Sequence, residues 1–68
     1  AGVLVLELPG PTSAKLSLYD ATGRLAGVLH EGNIGPGIFE FRPDFPAGVY
    51  MAVFRSPERT ASAKVLIR

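Results

Sequence analysis

Apolar and polar residues alternate with a period of two along most of this chain, which predicts strands and almost no helix. Six prolines and eight glycines cut it into pieces of at most 11 residues, the longer ones of strand length. Residues 3–8 form a nearly continuous apolar run, as in a strand buried on both faces or one at an edge covered by another part of a parent protein. Leu8-Pro9-Gly10-Pro11 stops that strand with Pro followed by Gly, as a type II turn prefers. Next, Ala14, Leu16 and Leu18 alternate with Lys15, Ser17 and Tyr19, so the first three are expected to face a core and the others water.

Asp20-Ala21-Thr22-Gly23 places Asp first and Gly fourth in a four-residue turn, and a hairpin strand over residues 24–30 follows. The glycine-rich stretch at 31–37 is expected to be a connection crossing between two sheets. Beyond it, Phe39 and Phe41 are core candidates, and residues 42–48 form a second loop rich in breakers. In residues 49–55, Tyr50, Ala52 and Phe54 share one face and Val49, Met51 and Val53 the other; two apolar faces predict a central strand. After a turn at 56–59 the last strand runs to the C-terminus, with Ala61, Ala63, Val65 and Ile67 expected inward and Thr60, Ser62, Lys64, Leu66 and Arg68 outward. About six to seven short antiparallel strands at near-regular spacing predict an all-β fold, a small immunoglobulin-like β-sandwich.

At 68 residues the chain is expected to be a single domain. Folding at this size buries only about 60% of the surface of the unfolded chain. Cysteine is absent, so an apolar content of 47% must build the core without disulfides. Seven basic and six acidic residues give a net charge of +1, too balanced to favour nucleic acid or an anionic membrane. No apolar stretch approaches the roughly 20 residues of a membrane-spanning helix, so no membrane insertion is expected. The chain begins Ala1-Gly2 and its one methionine is Met51, which reads as a piece cut from a longer protein.

Four motifs, in order, carry a family resemblance: Leu16-Ser17-Leu18-Tyr19-Asp20-Ala21-Thr22-Gly23-Arg24-Leu25, Gly35-Pro36-Gly37, Phe45-Pro46-Ala47-Gly48-Val49-Tyr50, and the terminal Lys64-Val65-Leu66-Ile67-Arg68. In that order and spacing, from about Val3 to Arg68, the chain resembles the type A C-terminal sorting domain of the type IX (Por) secretion system. It is also similar to the immunoglobulin-like domain of flagellar hook-capping proteins. The first resemblance implies a module at the end of a secreted protein, in many cases a hydrolase, that an outer-membrane translocon recognises and that is often removed when the cargo reaches the surface. It assigns Asp20, Gly23, Pro46, Gly48 and Tyr50 to the motifs that shape the fold.

Each residue singled out has a plain structural reading beside the functional one. Gly23 and Gly48 read first as turn residues, given the freedom of glycine at positive φ. Tyr50 reads as a core residue whose hydroxyl finds a backbone acceptor. Arg24 is either a solvated hairpin charge or a receptor contact. His30, the one histidine, reads as a surface residue at a strand end, and Glu31, Glu40 and Asp44 lack the spacing of a metal loop or an acid–base pair, so no metal, cofactor or catalytic group is expected. Lys64, Leu66 and Arg68 form a short basic and apolar stripe on the last strand, the kind of edge that strand-adding partners read.

The residues and the resemblance together predict a non-catalytic C-terminal sorting and attachment module, a monomer at the bacterial surface or secreted. Its expected partners are outer-membrane export machinery and a catalytic domain upstream. The contrasting expectation is a carbohydrate-binding or spacer module of a glycoside hydrolase, for which Tyr19 is the outward aromatic available for stacking.

Overall fold

The computed structural model describes residues 3–68; Ala1 and Gly2, the expected start of the fragment, lie outside the described residues. Six antiparallel strands, β1 (Leu4–Leu8), β2 (Thr12–Asp20), β3 (Leu25–Ile34), β4 (Gly37–Phe41), β5 (Gly48–Arg55) and β6 (Thr60–Ile67), form two sheets. The larger has the order β3-β2-β5-β6 and the smaller pairs β1 with β4. Facing sheets of this order reproduce the C′-C-F-G and B-E parts of an immunoglobulin-like sandwich, and the fold is a small β-sandwich as expected.

In β2 the inward half of the alternation holds, but the outward half is only partly met: Lys15 is exposed, whereas Ser17, expected in water, is 5% exposed beside a register shift between Leu16 and Ser17, and Tyr19 is half-buried. Ala14, Leu16 and Leu18 are buried, and Leu18 is fully enclosed. They meet Tyr50, Ala52 and Phe54 from β5, Ile34 from β3, and Val65 and Ile67 from β6. The smaller sheet lies over this core with Leu4, Leu6 and Leu8 of β1 and Phe39 and Phe41 of β4, all half-buried against it. Both phenylalanines therefore point to the core without being sealed in it, because a two-stranded sheet is narrower than the four strands beneath.

Several expectations need correction. Residues 31–34 are strand: β3 continues to Ile34, Asn33 pairs with Ser13 and Gly32 with Ala14, and the link to β4 is only Gly35 and Pro36. A glycine can keep its place in a ladder at φ 122°, so a Glu-Gly-Asn segment that looked like loop is held by its partner strand. Of the two alternatives for the apolar run at the N-terminus, burial on both faces is excluded because Val5 is 58% exposed, and β1 is an edge strand of the two-stranded sheet. Strand β5 is central as expected, flanked by β2 and β6, although Val49 and Met51 on its outer face are exposed. Hydrogen-bonding position and burial of a face are separate properties. Finally, Ala61 and Ala63 are exposed although they share the inward face with buried Val65 and Ile67.

Candidate functional site

The hairpin motif folds through its aspartate. Asp20 Oδ1 accepts hydrogen bonds from Thr22 Oγ1 at 2.6 Å, Thr22 N at 2.9 Å and Arg24 N at 3.0 Å. Gly23 N donates to Asp20 O at 3.0 Å, and Gly23 takes φ 87°, which a side chain would strain. The Thr22 hydroxyl and then the Arg24 amide hold the Asp20 carboxyl below its ordinary value. Arg24 itself is exposed at the tip, and its backbone closes the turn.

The second motif folds through its tyrosine. Tyr50 is 8% exposed and its hydroxyl donates to Pro46 O at 2.6 Å, tying the exposed proline and residues 42–47 to β5. Phe45 from this loop lies 6.0 Å from Tyr50, ring centre to ring centre. A Cβ on Gly27 would come within 2.7 Å of the Phe45 ring, so glycine in β3 lets the loop pack down. Gly48 opens β5 and is not at positive φ, so the turn role expected of it is not observed; a Cβ there would lie 3.7 Å from the Tyr50 ring. These motif residues build one closed end of the sandwich.

The terminal stripe stands where the alternation puts it. Lys64 and Leu66 are exposed on the outer face of β6, opposite Met51 and Val49, and exposed Arg68 follows the strand. Among the described residues β6 pairs only with β5, which leaves its other side an unpaired edge of backbone donors and acceptors. Arg24, across the sheet at the β2–β3 hairpin, lies on the opposite edge from β6, so the structure does not bring the four recognition candidates into one cluster.

Two surface features escaped the sequence reading. The first is an apolar outer face on the larger sheet: Leu25, Val28, Val49, Met51 and Leu66 are all exposed there. Tyr19 sits among them, half-buried and flanked in register by Leu25 and Met51. Register was the missing signal, since it takes four aligned strands to gather these residues. The second is a groove of about 120 Å3 between β1 and β6, lined by Leu4, Leu6, Leu16, Phe54, Ala61 and Ala63 among others.

The acidic candidates remain dispersed. Glu40 pairs with Arg42 at 3.1 Å on the surface, and His30 Nε2 lies 3.1 Å from Asn33 O within β3. Among the described residues no group of three or more histidine, cysteine, aspartate or glutamate side chains could hold a metal ion. Nor is any described helix long and apolar enough to cross a membrane. No family model matches the chain, and neither a curated protein nor a solved structure matches it significantly.

Proposed function

We propose that this chain is a non-catalytic sorting and attachment module of a larger secreted protein, read by bacterial outer-membrane export machinery through its last strand. One observation carries the reading: among the described residues β6 is an edge strand, and its outward Lys64, Leu66 and the following Arg68 are exposed together. Strand edges are recognised through the backbone, with alternate side chains supplying specificity. The motifs that resemble those of type IX sorting domains support the same reading, because the turn at Asp20 and the Tyr50–Pro46 bond brace β2 and β5, the neighbouring strands of the sheet on which β6 forms the edge.

Deleting the terminus would be a poor test, since residues 64–68 include Val65 and Ile67 of the core. The sharper test changes only Lys64, Leu66 and Arg68 to alanine and fuses the chain behind a periplasm-targeted fluorescent reporter in a bacterium with a type IX system. The unaltered chain should carry the reporter to the cell surface. The triple variant, folded by circular dichroism, should leave it in the periplasm; undiminished surface display by that variant would sink the proposal.

A further inference from the structure

Immunoglobulin-like sandwiches place a strand A beside strand B in the sheet that also holds strand E. Here β1 holds the B position and pairs only with β4, so among the described residues that place beside β1 is vacant. The free edge of β6 borders the same space, because the apolar groove of about 120 Å3 is lined by Leu4 and Leu6 from one edge and Ala61 and Ala63 from the other. Leu16 and Phe54 form part of its lining. Both alanines are exposed where two residues further along the same face, Val65 and Ile67, are buried. The vacancy thus has a backbone edge to pair with, an apolar floor, and small side chains that leave room.

The other face of β6 sets the charge. Lys64 and Arg68 are exposed, and the outward residues opposite β6 on β5 are Val49, Met51, Val53 and Arg55, with no carboxylate among them. An added strand alternates its side chains between the two faces of the sheet. One set would enter the groove over Ala61 and Ala63, and the other would come beside the cations.

We propose that the groove between β1 and β6 accepts a strand donated by a partner protein, with backbone pairing to β6, apolar residues at alternate positions and carboxylates at the positions between. The inference rests on the reading of β6 as the recognised element and adds the chemistry of what recognises it. The small side chains at 61 and 63 select for apolar bulk in the donor, and Lys64 with Arg68 selects its acidic face.

Two synthetic peptides as long as β6, eight residues, one alternating Val and Glu and one alternating Val and Lys, test this when titrated into the isotope-labelled 68-residue chain. The Val/Glu peptide should shift backbone amides of β6 and β1, and the Val/Lys peptide should bind about tenfold more weakly or worse. Methylating the alternate peptide nitrogens that face β6 should abolish binding, and the double variant Lys64→Glu, Arg68→Glu should reverse the preference. Equal binding of both peptides, shifts centred on Tyr19 and Met51, undiminished binding of the methylated peptide, or no shift at millimolar peptide would each overturn the proposal. So would sedimentation showing the chain pairing with a second copy through β6 in place of the peptide. A chain that takes the Val/Glu peptide but fails to direct export keeps the acceptor site and loses the sorting role; export without peptide selectivity means the reverse.

Discussion

The two halves of β6 have the same alternation and the same inward face, yet one is core and the other is surface. Val65 and Ile67 are 6% and 4% exposed, while Ala61 and Ala63 are open to solvent. The difference comes from what lies opposite. At the Val65 end, Tyr50 pairs with Val65 and Gly48 with Ile67, and Phe45 packs down over Gly27 while the Tyr50 hydroxyl holds the loop by Pro46. At the Ala61 end the covering sheet stops at β1, and a groove takes the place of a strand. Alternation tells which way a side chain points; the facing sheet decides whether anything meets it.

The strongest way to break that comparison is Ile67→Ala. Truncating a buried isoleucine costs about 2–5 kcal/mol. Against a total stability of about 5–15 kcal/mol, that is a large share for a small domain. The urea midpoint should fall steeply, whereas Ala61→Ser on the same face should move it within about 0.5 kcal/mol. Comparable losses at positions 61 and 67 would mean that the two halves are equally packed.

The loop that closes the packed end gives the next effect. Tyr50→Phe keeps the ring against Phe45 but removes the 2.6 Å bond to Pro46 O. Loss of one such bond costs about 0.5–1.5 kcal/mol, and thermal melting of the variant should report it. Faster amide exchange should be confined to residues 42–47, with the β6 groove end unchanged.

At the hairpin of the same end, Asp20 is only half-buried, so its effect should be smaller and shaped by pH. Its carboxyl is held below the ordinary value, first by the Thr22 hydroxyl and then by the Arg24 amide. A depressed folded value means that the contribution is fully present above the ordinary aspartate value of about 3.9 and is lost as pH falls through the lower folded value. Asp20→Asn removes that titration. Melting temperatures of the two proteins should differ at neutral pH and converge in acid; a constant gap from neutral pH into acid would exclude a role for the charge.

Much of this fold is legible in the residues because strand and turn signals are local. Ala14, Leu16 and Leu18 announce a half-buried strand, Asp20 and Gly23 a turn, and Tyr50 a core ring in need of an acceptor. Local signal misleads wherever pairing overrides it. Gly32 and Asn33 look like loop and are strand because Ala14 and Ser13 hold them. The apolar face around Met51 and Tyr19 comes from cross-strand register, and the groove at Ala61 and Ala63 from the width of the opposite sheet. Of the recognition candidates, Lys64, Leu66 and Arg68 could be placed from alternation alone. That Arg24 stands apart from them follows only from strand order.

Ala63→Val should have the smallest effect on stability and bears most directly on the bare half of β6. Valine suits a strand, and its added methyls point into the groove lined by Leu4, Leu6 and Phe54, so stability should hold or rise within about 0.5 kcal/mol. An alanine packed against neighbours would respond in the opposite way, since overfilling a tight core costs about 1–3 kcal/mol. The sign of the shift therefore separates an open groove from a filled one. If the groove takes a donor strand, the same valine should weaken binding of the Val/Glu peptide while leaving the melting transition intact, because it occupies space the donor needs.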